Sequence, residues 1–384
     1  MKRTSIILAA VWLLGMLVIP AGAAELTVAG KSAVLMDVTT GAVLYESNPH
    51  EPLAPASVTK VMTMLLIMEA LDGGSISLTD TVTASETAAA KGGSQIYLKV
   101  GETMSVSDML KSIAVSSAND CACAMAEHLS GSEEAFVARM NSRARELGMN
   151  DTTFVNCTGL DDGADAVNHR TSAYDIALMS RELLKNHPKI KDFTTIGMDS
   201  VRGGTFGLSN TNKLIRFYPG ATGLKTGFTT GAGYCLSASA QREGMELVAV
   251  VMGAESGAAR NAACKQLLDY GFANFALIAP ELTQEQTVPV RLGTADDVPV
   301  ELGEEGGMLV EKARKGSVAT EVTLEPEVTA PVTKGQRLGT MTVRAGDQIL
   351  RQLPLVAARD IPRLSYGQIL IRTLGKVCGA KETE

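Results

Sequence analysis

The chain has 384 residues, 45% of them apolar, 20% charged and 4% aromatic, with a net charge of -7. That length suggests roughly two or three domains with a sizeable core. The acidic balance excludes a polyanion such as nucleic acid as partner, and a single Trp excludes stacking platforms for its bases.

Residues 1–24 read as a signal peptide. Lys2 and Arg3 form a positive start, Ile6 to Ile19 an apolar run, and Ala21-Gly22-Ala23 a small-x-small cleavage site after Pro20. An uncleaved anchor is the alternative, disfavoured because the run is shorter than the roughly 20 residues a span needs. Loss of Lys2 and Arg3 takes the net charge from -7 to -9, leaving an exported, acidic chain. Six cysteines in such a chain make no disulfide framework, and Cys121 and Cys123 stand too close for a C-x-x-C metal or redox pair. Most are expected to be small buried thiols, with no metal site and no cofactor.

Residues 33–46, AVLMDVTTGAVLYE, place two apolar runs around a Thr-Thr-Gly turn and predict a β-hairpin. Ser57 to Leu71 is almost wholly apolar, begins after Pro55 and stops at Asp72-Gly73-Gly74, which predicts a helix buried on most sides. SVSDMLKSIAVSS, DCACAMAEHLSG, EEAFVARMNSRARELG and SAYDIALMSRELLKN follow at helical period. GLKTGFT, GYCLSASAQ and MELVAVVMG then read as strands, and SGAARNAACKQLLDYGF as a closing helix.

Strands, helices, strands and helix in that order predict an α/β (α+β) unit: one antiparallel sheet built from both ends of the unit, with helices packed on it. It spans 25–280. TVPVRL, DVPVEL, EVTLEP and RLGTMTVRAGDQILRQLPLV alternate at period two and predict a small all-β domain over 282–358. In the final segment, 362–380, Tyr366, Leu370, Leu374, Val377 and Cys378 share one helical face, with Arg372 and Lys376 on another. Such a helix is expected to lie in a membrane surface; the alternative is a helix packed on the β domain.

Three triplets carry chemistry. Ser57 and Lys60 are three apart on one helical face, where a lysine deprived of its proton by burial can activate the hydroxyl. Ser117-Ala118-Asn119 falls between two predicted helices, and Lys225-Thr226-Gly227 on a predicted strand where glycine lets another chain approach. The separations are 60 and then 108 residues.

This ordered set resembles that of penicillin-binding proteins and class A β-lactamases. PASVTKVMT, SSANDCACAMAEHLSGSEEAFVARMN, HRTSAYDIALMSR and TGLKTGFTTGAGYCLSASA extend the likeness, and the whole layout is similar to a low-molecular-mass penicillin-binding protein of the serine-type D-alanyl-D-alanine carboxypeptidase family. The resemblance implies a β-lactamase/transpeptidase-like catalytic domain that cuts the terminal D-Ala from peptidoglycan stem peptides, at the outer face of the cytoplasmic membrane, inhibited by β-lactams. It implies Ser57 as nucleophile, Lys60 as base, Ser117 as proton relay, and Asn119 as a holder of the substrate backbone. Lys225 would keep Lys60 neutral by charge repulsion and, with Thr226 and Arg260, receive the substrate carboxylate. Gly227 lies between them and the backbone of Phe228, which with that of Ser57 would form the oxyanion hole. Phe228 stands where some members have histidine, and Ala118 where glycine is often found. His169 is expected to be structural, hydrogen-bonded in the cleft wall.

A β-lactamase would need a deacylating glutamate; Glu182 and Asn186 have a suitable spacing but fall within a helical pattern. A Ser-His-Asp hydrolase is disfavoured by the absence of G-x-S-x-G, a zinc peptidase by the absence of H-E-x-x-H, and a phosphate loop by Glu25 before Gly30-Lys31-Ser32. A β-lactam-binding sensor or scaffold without turnover remains the non-enzymatic alternative.

Overall fold

The computed structural model describes residues 26–377 apart from Thr283 and Glu305. The signal segment and Cys378 lie outside the described residues. Strands β1 (Ser32–Asp37), β2 (Val43–Ser47), β3 (Ala221–Thr229), β4 (Gly233–Arg242) and β5 (Met245–Ala254) form one antiparallel sheet in the order β2-β1-β5-β4-β3. As the order of predicted elements implies, the early hairpin pairs with the late strand β5, Leu35 facing Ala249.

Side chains of β1 alternate between two cores. Val34 and Met36 join the large helical cluster, while Ala33 and Leu35 pack with the residues of helix α6 (Gly257–Asn274) on the other face. Both faces of β5 are covered as well, which explains its nearly unbroken apolar run. In the helical layer α1 (Lys60–Asp72) is buried all round except near its end, with α2 (Val106–Ser116), α3 (Asn119–Ser130), α4 (Glu133–Glu146) and α5 (Ala173–Asn186) around it. Serines 105, 132, 172 and 256 cap α2, α4, α5 and α6, each Oγ accepting an N–H three residues on at 3.1–3.2 Å. Two short ribbons, Thr81–Thr83 with Thr103–Ser105 and Met198–Val201 with Phe206–Ser209, escape a sequence reading because strands of three or four residues carry no period.

Phe275–Ile278 leaves α6 and pairs with Met308–Glu311. Beyond it β6 (Gln286–Arg291), β7 (Asp297–Leu302), β8 (Val318–Leu324), β9 (Val328–Thr329), β10 (Arg337–Ala345) and β11 (Gln348–Ala357) form a second sheet, ordered β8-β10-β11-β7-β6-β9. Val288, Val298, Leu338, Met341, Val343 and Leu355 fill its own core. The last helix, α7 (Tyr366–Val377), touches this domain through Arg372, which donates to the Gly293 carbonyl at 3.2 Å and pairs with Asp296. Tyr366, Leu370, Ile371 and Leu374 stay exposed. No helix among the described residues is long and apolar enough to cross a membrane.

Candidate active site

Ser57 and Lys60 do not share an α-helix. Ala56–Thr59 is a 3-10 turn, and α1 begins at Lys60. A 3-10 turn eclipses positions three apart, which aligns the pair more directly than an α-helix would. Lys60 Nζ stands 2.9 Å from Ser57 Oγ and donates to the Thr158 carbonyl at 2.7 Å.

The lysine is fully buried, and burial pushes its pKa down to about 7 against the opposing pull of Cys157 and Asp120. Burial is the cause that the sequence spacing suggested for Lys60. Charge repulsion shows on the other partner. Lys225 lies well below its ordinary value through burial first, then the charges of Lys60 and Arg260. Its Nζ donates to the Thr226 carbonyl at 2.8 Å, and Thr226 Oγ1 lies 2.7 Å from that of Thr211.

Strand β3 carries Lys225, Thr226, Gly227 and Phe228 along the edge of the nucleophile turn. A Cβ at Gly227 would lie 2.7 Å from the Pro55 carbonyl oxygen and 3.1 Å from Ser57 N, so only glycine allows this approach. Phe228 is half-exposed, its ring 4.3 Å from that of Tyr234. Arg260, at the start of α6, is buried over Tyr234 at 5.9 Å and donates to Asn261 Oδ1 at 3.1 and 3.0 Å.

Ser117 joins α2 to α3 in the left-handed conformation, φ 64°. Its Oγ is buried without a partner, as is Asn119 Oδ1. Buried polar atoms are rarely left so. Asn119 Nδ2 donates to the Gly92 carbonyl at 2.7 Å, and its own N–H to that of Ser94 at 2.7 Å. Asp120, which the sequence reading passed over, accepts from the N–H groups of Ile96 and Leu98 at 3.1 and 3.0 Å and so pins the 92–98 segment beside Asn119. An acidic residue just inside a helix gives no sign that it will reach so far.

His169 braces the wall. Thr59 Oγ1 donates to the Ala56 carbonyl, so it accepts from His169 Nε2, while Nδ1 accepts from the Val155 N–H at 3.2 Å. The ring is a neutral tautomer, pushed down to about 4 by burial and then by Arg170 and Lys60. Glu182 and Asn186 serve elsewhere: Glu182 pairs with Arg143 at 2.6 Å and accepts from Asn186 at 2.9 Å. Glu69, Glu182 and His187 bring three potential ligand atoms together, but Arg143 sits between the two glutamates. The five cysteines within the described residues are buried free thiols.

Residues 20–256 match the family described as D-alanyl-D-alanine carboxypeptidase, and 279–363 match the penicillin-binding protein 5 C-terminal domain. D-alanyl-D-alanine carboxypeptidase DacF of Bacillus subtilis (strain 168) is 45% identical over 91% of this chain and 90% of its own length. The crystal structure of penicillin binding protein 5 from Haemophilus influenzae superposes with a TM-score of 0.75 at 30% identity, covering 89% of this chain and all of that one. Penicillin-Binding Protein D2 from Listeria monocytogenes, solved in its cefotaxime-bound form, is 31% identical with a TM-score of 0.59 over 65% of this chain and 99% of its own. With residues 20–256 matched by that family and a serine, a lysine and a glycine-edged strand brought together within them, the chain belongs to the D-alanyl-D-alanine carboxypeptidase family.

Proposed function

We propose that the protein is a serine carboxypeptidase that removes the terminal D-alanine from peptidoglycan stem pentapeptides, and so limits cross-linking. The observation that carries this reading is Lys60 Nζ at 2.9 Å from Ser57 Oγ with its pKa lowered to about 7. A neutral amine takes the Ser57 proton as Oγ attacks the D-Ala-D-Ala carbonyl. The oxygen's developing charge meets the Ser57 and Phe228 N–H groups, a placement supported by how closely Gly227 approaches Ser57 N. Ser117 passes the proton to the leaving amine, the acyl C–N bond breaks, and D-alanine departs. Water then releases the shortened peptide and restores Ser57. Asn119 Oδ1 is free to accept a substrate N–H. Lys225, Thr226 and Arg260 receive the terminal carboxylate.

β-Lactams would acylate Ser57 in the same geometry, as the cefotaxime-bound Listeria relative suggests by likeness. A β-lactamase role finds no support, because both carboxylate oxygens of Glu182 are engaged by Arg143 and Asn186. The catalytic unit is taken as 25–280 and the β domain as 282–358. Residues 1–24 would direct export, and α7 would hold the enzyme at the outer face of the cytoplasmic membrane through its exposed Tyr366, Leu370 and Leu374.

Release of free D-alanine from a peptide ending in D-Ala-D-Ala tests the reading, comparing the chain without residues 1–24 with its Ser57→Ala variant. Release by the first alone is expected. Failure of both, with folded protein, would leave a β-lactam-binding scaffold.

A further inference from the structure

Lys60 needs more than burial to act as a base. A neutral amine has two N–H bonds and one lone pair, and catalysis requires that the lone pair, not an N–H, face Ser57 Oγ. An acceptor on the far side fixes that orientation, as a third group orients the base in other nucleophilic sites. Here the acceptor is the backbone carbonyl of Thr158, at 2.7 Å. Its aim is therefore part of the machinery.

One side chain sets that aim. Asn156 Oδ1 accepts from the Thr158 N–H at 3.1 Å, the Thr158 hydroxyl at 3.1 Å and the Gly159 N–H at 2.6 Å, while Nδ2 donates to the Leu160 carbonyl at 2.9 Å. Both ends of the amide bond to one turn of its own backbone. Gly159 locks the turn against the nucleophile: at φ 82°, a Cβ there would fall 1.8 Å from the Ala56 carbonyl oxygen. Neighbouring backbone is held as well, with Thr63 Oγ1 donating to the Cys157 carbonyl at 2.7 Å and the Cys157 N–H donating to Glu133 at 3.2 Å. The Thr158 carbonyl is the one that accepts from the lysine.

We infer that Asn156 is a positioning residue of the reaction: by folding the 156–160 turn it aims the Thr158 carbonyl at Lys60, orients the amine lone pair toward Ser57 and keeps water from the ammonium. This rests on the proposed roles of Ser57 and Lys60. It goes beyond them because Asn156 touches neither residue's reacting atom.

The test is the acylation rate constant with ampicillin from pH 5 to 10, for the chain without residues 1–24 and its Asn156→Ala and Asn156→Asp variants. Asn156→Ala should lower the plateau about 30-fold, in the range that misplacement of a catalytic group costs. It should also move the acid limb to higher pH, since water reaching Lys60 relieves the desolvation that lowers its pKa. Asn156→Asp retains the acceptor oxygen for all three donors but sets a carboxylate oxygen against the Leu160 carbonyl, so its plateau should fall less than that of Asn156→Ala, by about fivefold. If Asn156→Ala does not fold, Asn156→Gln carries the same expectation, its amide being one methylene too far to reach all three donors. A folded Ala or Gln variant with the parent's plateau and acid limb would overturn the inference. So would equal losses in Ala and Asp, or a lowered thermal midpoint with an unmoved pH profile. Ampicillin adducts on Ser57→Ala would instead sink the nucleophile assignment, a separate failure.

Discussion

Lys60 holds its lowered pKa at a cost to the fold. Its folded value of about 7 lies below the ordinary 10.5, so the neutral form's contribution to stability is complete only above pH 10.5. It is lost as pH falls toward 7 and stays lost below. A Lys60→Met variant, isosteric and apolar, should abolish D-alanine release yet unfold at higher denaturant at pH 7, by about 2 kcal/mol. Equal or lower stability would show that the lysine is better solvated than its burial implies. His169 has the same sign with a different window. Its folded pKa of about 4 lies below 6.5, so stability present above pH 6.5 is lost as pH falls to 4, on the order of 3 kcal/mol. His169→Phe should be less stable at neutral pH, through loss of the Thr59 and Val155 partners, but should show a flatter stability profile between pH 6.5 and 4. Parallel profiles for variant and parent would contradict the neutral tautomer. The Ser57–Lys60 pairing is legible in the sequence because both side chains bring their own chemistry at a spacing any helix satisfies. Thr158 is not legible: it acts through a carbonyl, which every residue has. Asp120 and Asn156 act on backbone many or few residues away, and only the folded chain shows which.

Among the elements, the edge of β3 lies tight against the 3-10 turn. Gly227→Ala places a methyl against the backbone of the turn, at the Pro55 carbonyl and Ser57 N. The turn and the strand must part, and acylation should fall about 100-fold in a protein that remains folded. Near-parental rates would mean that the strand yields without disturbing Ser57. Long elements with a clear period, such as α1, α5 and β5, are readable from sequence because burial on one or all sides dictates their composition. The start of α1 is not, since Ser-Val-Thr-Lys suits a 3-10 turn as well as an α-helix and the choice is made by packing on β3.

For the whole molecule, the exposed apolar residues of α7 predict the partner. The chain without residues 1–24 should sediment with vesicles that are about one-third phosphatidylglycerol, and its counterpart lacking 362–384 should not, while releasing D-alanine from a soluble peptide within about twofold of the parent. Equal sedimentation of the two would place the membrane contact elsewhere. Division into a helical sheet unit and an all-β unit is legible because the hydrophobic period changes near Pro280. The interlock of Phe275–Ile278 with Met308–Glu311 is not, being a pairing of two four-residue segments across a long connection.

The strand order β2-β1-β5-β4-β3 also bears on how the protein is made. The first hairpin has no sheet to join until Met245–Ala254 exists, more than two hundred residues later, because Leu35 must find Ala249. Contacts of such high sequence separation form slowly. The central sheet therefore stays incomplete during synthesis until the catalytic unit is nearly finished. The arrangement that sets β3 beside Ser57 thus also delays completion of the sheet that carries the site.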